Sequence, residues 1–346
     1  ESDEQFALRK KMTEQGLKQM SVLVNDLDTL SLGLGVDQKA GAAFLEYGLT
    51  AKPGTKTAQQ FAEAGKLSSD FSGFLTGDAA AAGAMVSKIE EGERAQLQGV
   101  IAGLMANAKK ELDKEGIPEA QKKTLNEVLD DVQSILDKTI EQGLIDGGFV
   151  VKLAPKETAA AAGMHVADGA KVEALLKKLA QLDPNVAKMI KFNAEKHEGV
   201  AFHVFSVSVE DVEKDAEKQA KLKEAFGEKI EVAVGVADKA AYIAAGSNPV
   251  SVLKGAIDRS AKAAGKPSRP MRMFVAGLPI AEFVAKVGDE EAREGAVEAV
   301  KILSKAEGKD KLLIDTNVVP NGAAVRISVQ EGLIRLLQLA PIPDAE

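Results

Sequence analysis

Among its 346 residues the chain has no cysteine, no tryptophan, two tyrosines and three histidines. Lack of cysteine removes disulfides, thiolate nucleophiles, iron–sulfur clusters and cysteine-ligated zinc together. It leaves the compartment open, because an oxidising space permits disulfides without requiring them. Aromatic residues make up only 4% of the chain, nearly all of them phenylalanine. Sites for single-stranded nucleic acid stack bases on aromatic rings, and the net charge of −8 opposes a phosphate backbone, so no nucleic-acid partner is expected. Long apolar runs are missing too: no stretch reaches the ~18 residues of a membrane-spanning helix.

What is present is a chain 45% hydrophobic, dominated by Ala, Val, Leu and Ile, and 28% charged. That composition supports a sizeable core under an ordinary soluble surface, and argues against global disorder. The length corresponds to about two domains or one large one, at roughly 100–200 residues per domain. The first residue is Glu1 rather than Met, which is expected of a processed N-terminus such as a removed secretory signal, or of a tag.

The pattern along the chain is a hairpin followed by a helix, several times over. After a first helix expected over Gln5–Met20, Leu30, Leu32, Leu34 and Val36 alternate with Thr29, Ser31, Gly33 and Gly35, the signature of a half-buried strand. A turn follows, then a returning strand over Ala42–Ala51, a break at Pro53-Gly54 and a short helix over Thr57–Ala64. The same order recurs with strands at Phe149–Leu153 and Ala159–Val166, where Asp168 is placed to cap the next helix. It recurs with Ile230–Val236 and Tyr242–Ala245, before Gly246-Ser247-Asn248-Pro249, where Ser or Asn can cap and Pro suits a first helical turn. The last unit has strands at Leu312–Val319 and Ala323–Ile327 about a Pro320-Asn321-Gly322 turn, with Ser328 and Glu331 at capping-box spacing.

Between the first two units lie two apolar helical stripes, Leu97 to Leu112 and Leu125 to Leu136, separated by Gly116-Ile117-Pro118. They predict an inserted antiparallel helical hairpin, and a packed stripe there would make Leu104→Asp strongly destabilising. Val212–Phe226 reads as a charged surface helix, and Ala263–Pro270 as a linker. The expected fold is α+β: repeated antiparallel β-hairpin–helix units forming curved sheets packed on one face by helices. Two related halves are expected, 1–143 with the helical hairpin insertion and 144–346 with three hairpin–helix units.

The phrases NDLDTLSLGLGVDQKAG, LTAKPGTKTA and AAGSNPVSVLKGAID resemble uncharacterised secreted bacterial proteins of the planctomycete type, of unknown function. The resemblance implies export to the periplasm or cell surface. It carries no catalytic residue across.

The search for chemistry finds no motif. His197 and His203 would share a face of a continuous strand about 20 Å apart, too far for one metal, although a turn at Glu198-Gly199 would bring them closer. His197-Glu198 lacks the second histidine of a zinc-protease helix. His165, beside Met164, has no nucleophile motif with it, and no Gly-x-Ser-x-Gly elbow occurs. Gly265-Lys266-Pro267-Ser268, Gly54-Thr55-Lys56-Thr57 and Gly33-Leu34-Gly35 each fail the spacing of a nucleotide-binding loop. Asp130-Asp131, Glu90-Glu91 and Asp289-Glu290-Glu291 fall on polar faces or at helix starts. No catalytic, cofactor-binding or metal-binding residue is assigned, and no cofactor is expected.

The remaining signal is the small side chains of Ala79–Met85 and Ala159–Val166. They either leave room for an apolar cavity between sheet and helices or let the helices pack closely with no void. The first expectation is therefore a non-catalytic extracytoplasmic binding or interaction protein. The alternative is a periplasmic carrier holding a hydrophobic or lipid ligand between sheet and helices, and an enzyme with an unrecognised site stands third.

Overall fold

The computed structural model describes residues 10, 13, 16, 20–114, 116–182 and 184–337, without the side chains of 184–186. The expected helix over Gln5–Met20 falls largely outside the described residues. A helical stretch, α1 (residues 20–26), leads into β1 (Leu27–Asp37) and β2 (Ala42–Ala51), followed by α2 (Lys56–Ala64). A 3-10 turn at Ser72–Phe74 precedes β3 (Ala81–Lys88), then the long helices α3 (Glu91–Lys114) and α4 (Glu119–Glu141). The hairpin β4 (Leu144–Lys152) and β5 (Ala159–His165) is followed by α5 (Gly169–Ala180) and α6 (Pro184–Met189). The hairpin β6 (Ile190–His197) and β7 (Val200–Ser208) is followed by α7 (Val209–Val212) and α8 (Ala216–Phe226). The hairpin β8 (Lys229–Ala237) and β9 (Ala240–Gly246) precedes α9 (Pro249–Ala263). A lone strand, β10 (Met271–Ala276), leads to α10 (Gly277–Val287) and α11 (Glu290–Leu303). Last come β11 (Lys311–Val319), β12 (Gly322–Gln330) and α12 (Glu331–Leu337).

All twelve strands join one antiparallel sheet in the order β1-β2-β12-β11-β10-β3-β4-β5-β9-β8-β7-β6. At about 4.8 Å per strand it is roughly 50 Å wide. The fold is α+β, with hairpin–helix units repeated along it. Residue 144, the expected junction of two halves, opens β4, whose partner in the sheet is β3.

Local chemistry sets the ends of these elements. Asp168 accepts from the Lys171 N–H and caps α5. Asn321 takes φ 56° in the β11–β12 turn, as Asn-Gly permits. Two expected caps differ: Asn248 precedes α9 without a side-chain cap, because Ser247 Oγ instead donates to the Phe226 carbonyl. Ser328 lies inside β12, which runs on to Gln330, so no capping box forms. Pairing of β12 with both β2 and β11 satisfies that backbone and outweighs a local cap.

The register separates two faces. One carries Leu313, Phe274, Ala82, Val150, Ala161 and Ala244 in a continuous row. Against it pack Phe74 of the 3-10 turn and Phe71 just before it, with Leu253, Ala256 and Ile257 of α9, forming the main core. The opposite face carries a row from Leu34 through Leu45, Ile327, Ile314 and Met273. That row continues through Gly83, Phe149, Ala162, Ile243 and Val234. It crosses ten strands without one polar side chain.

Helices lie on both faces rather than one. On the second face α4 and α5 cover only part of the sheet, because α3 and α4 enter it at one end, from the ends of β3 and β4. Two expectations are corrected here. Leu104 is 58% exposed and no residue of α3 is buried, since α3 packs on α4 rather than on the sheet. The leucines of β1 are exposed rather than half-buried: Leu32 is 74% and Leu34 83% accessible, because β1 is an edge strand that no described helix covers.

Candidate functional site

Where α4 meets the second face, a cleft of about 390 Å³ opens among β3, β4, β5, β10 and α4. This lies within the size range of small-molecule sites, about 300–1,000 Å³. Its floor is Gly83, Phe149 and Ala162, its α4 wall Leu136, Thr139 and Ile140, and its remaining side chains include Met85, Met164, Met271 and Met273. These are four of the chain's eight methionines, brought from three strands to one place. Methionine has three flexible torsions and a polarizable sulfur, so it moulds to ligands of varied shape.

Gly83 has no side chain, and the Phe149 ring packs over it to form that part of the floor. A Cβ added at Gly83 would fall 2.5 Å from the Phe149 ring and 3.1 Å from Met273 Cβ. Gly83 and Ala162 come from the two small-residue segments in which the sequence left either a cavity or close packing open; the cleft is flanked by both segments. Met85 and Met164 remain 40% and 41% exposed at its mouth, so they are reachable from solvent.

Polar groups are few and already engaged. Asp146 belongs to the core face, where its carboxylate accepts from Ser69 Oγ at 2.5 Å and from the Asp70 N–H at 2.8 Å. Burial raises its pKa against those hydrogen bonds. His165 Nε2 lies 2.7 Å from Gln142 Oε1 at the rim. Thr139 Oγ1 donates to the Ile135 carbonyl and accepts the Ala167 N–H. No lysine or arginine is among the lining residues, and a bound molecule would meet mainly methylene, thioether and ring surface.

The histidines do not converge. The turn at Glu198-Gly199 forms, with φ 46° and 78°, and puts His197 and His203 on adjacent strands. They then point to opposite faces: His197 Nε2 pairs with Asp258 of α9 at 2.6 Å. His203 is buried on the other face, where its Nδ1 accepts the Asn193 N–H and its ring meets Phe192 edge-on. Among the described residues no group of three or more His, Cys, Asp or Glu is placed to hold a metal ion, and no helix is long and apolar enough to cross a membrane.

Sequence reasoning passed over β10, which supplies Met271 and Met273. The signal was present as Met271-Arg272-Met273-Phe274-Val275, a short alternation directly after the Pro-rich linker, but too brief to separate from that linker. The chain matches no family model, no curated protein and no solved structure.

Proposed function

We propose that the protein is a non-catalytic binding protein of the bacterial periplasm or cell surface, carrying a hydrophobic ligand such as a long acyl chain between its sheet and α4. The observation that carries this reading is the cleft itself: four methionines converge on an apolar floor of Gly83, Phe149 and Ala162. Burial of apolar ligand surface contributes about 25 cal/mol per Å², and the lining holds no lysine or arginine whose desolvation would offset it. The extracytoplasmic setting rests on the resemblance of three sequence phrases to secreted bacterial proteins.

A second reading, a protein-interaction module, is favoured by the exposed leucines of β1, which lie away from the cleft. Native mass spectrometry of protein exported by a bacterial host, followed by solvent extraction, separates the two. A carrier retains an extractable lipid adduct, or takes up a long-chain fatty acid when offered one. Met85→Lys and Met164→Lys should abolish that uptake while leaving the circular dichroism spectrum unchanged, since both side chains are partly exposed. A clean apo mass with no fatty-acid uptake would sink the carrier reading.

A further inference from the structure

Among the described residues the sheet ends at two edges, β1 and β6, and they are built differently. Within its eight residues β6 carries Lys191, Glu195 and Lys196, has Asn193 at φ 49°, and breaks register with β7 between Lys191 and Glu195. It is also tied down from α9, by Lys254 to Glu195 and by Asp258 to His197. Charge and irregular backbone are the means by which an edge avoids pairing with another chain.

None of this protects β1. From Thr29 to Val36 it has no charged residue and no proline, and it stays in continuous register with β2 from Thr29 to Asp37. Its apolar side chains, Leu30, Leu32, Leu34 and Val36, are 67%, 74%, 83% and 72% exposed.

We propose that β1 is a self-association edge, where it pairs antiparallel with β1 of a second copy of this chain across a two-fold axis normal to the sheet. Such an axis keeps each face of the sheet on its own side, so even-numbered residues meet even-numbered residues. The four apolar side chains then gather with those of the second copy on one face, and Thr29, Ser31, Gly33 and Gly35 gather on the other. This is the self-complementarity an isologous interface requires.

The charges agree with this pairing. Asp28 and Asp37 sit at opposite ends of the strand. Pairing centred on Leu32 sets Asp28 opposite Val36, and pairing centred on Gly33 sets Asp37 opposite Thr29. In neither register do carboxylates face each other, which would be destabilising. The apolar row beginning at Leu34 would run on into Leu30 or Leu32 of the second copy, according to register.

Sedimentation velocity on the full chain over a concentration series is expected to show a monomer–dimer equilibrium. Leu32→Lys should abolish the dimer and leave the melting temperature unchanged at concentrations where the wild type is monomeric, since the replaced side chain is exposed. Because the chain has no cysteine, single-cysteine variants give an independent readout. Opposed residues of an antiparallel pair lie about 4.5–5.5 Å apart at Cα, within disulfide range. A side chain at Gly33 would meet only the Glu46 carbonyl, at 3.9 Å, so that variant is sterically acceptable. Mild oxidation should cross-link either Leu32→Cys or Gly33→Cys, according to register, and should leave Glu195→Cys on β6 monomeric. The proposal is overturned by a monomer at every concentration, by a dimer that Leu32→Lys leaves intact, or by equal cross-linking at Glu195→Cys. It is equally overturned by a monomer that binds phosphatidylcholine vesicles and loses that binding in Leu32→Lys, which would make β1 a membrane contact.

Discussion

His203 is buried with one ring nitrogen occupied and the other, Nε2, without a partner among the described residues. Burial lowers its pKa, with Glu173 opposing and Lys177 reinforcing the shift, so the folded protein holds the neutral imidazole. An unfolded histidine titrates at about 6.5. The unfolded state therefore binds the extra proton first, and the stability conferred by the neutral ring is present above that pH and lost as pH falls through the lower folded value. His203→Asn keeps an acceptor near Nδ1 and does not titrate. Its melting temperature should drop less than the wild type's between pH 8 and pH 5, and an identical drop would place the acid sensitivity elsewhere. Tyr242, packed on Phe71 at 5.6 Å between ring centroids, shows the same desolvation in the opposite direction, its hydroxyl pushed up to about 12 by burial, with Asp70 and Asp146 adding to it.

At the scale of elements, an apolar stripe on a helix does not reveal what the helix packs against. α3 carries apolar residues turn after turn from Leu97 to Leu112, yet it has no buried residue, while α9 buries Leu253, Ala256 and Ile257 in the core. Leu104→Asp, which the stripe alone marks as strongly destabilising, is now expected to change stability by no more than about 0.5 kcal/mol, as at other exposed sites. Leu253→Ala should cost about 2–5 kcal/mol, the range for emptying a packed leucine site. Urea denaturation of both variants checks the pair, and a large loss for Leu104→Asp would mean that α3 packs against something other than α4.

Across the whole molecule, one sheet runs from β1 to β6, and β3 pairs with β4 over the junction expected at residue 144. The core cluster is equally undivided, joining Phe71 and Phe74 to Val150, Phe202, Leu253 and Phe274. Breaking the chain's two parts from each other would expose a central strand pair and split that core. Calorimetry is therefore expected to show a single unfolding transition, with calorimetric and van't Hoff enthalpies in agreement. Two resolved transitions would show that the parts before and after residue 144 unfold independently.

Turn chemistry and alternation are local properties, so the sequence by itself determined the hairpins at β1–β2, β4–β5, β8–β9 and β11–β12, the helical hairpin of α3 and α4, and the Asp168 cap. The β6–β7 hairpin was legible only as an alternating fragment beside a turn, because its first strand is charged and irregular. Alternation also states which residues share a face, but it is the same whether that face meets a helix or water. Leu30, Leu32, Leu34 and Val36 read as half-buried for that reason, and only the edge position of β1 exposes them. The cleft shows the same division. Small residues at Gly83 and Ala162 were visible, but whether they made a void or a close contact depended on strand order. Met85, Met164, Met271 and Met273 come from segments far apart in the chain, and it is the placement of β10 beside β3, two strands from β5, that gathers them. Strand order follows from the packing of all twelve strands and their helices at once, and only the tertiary structure decides it.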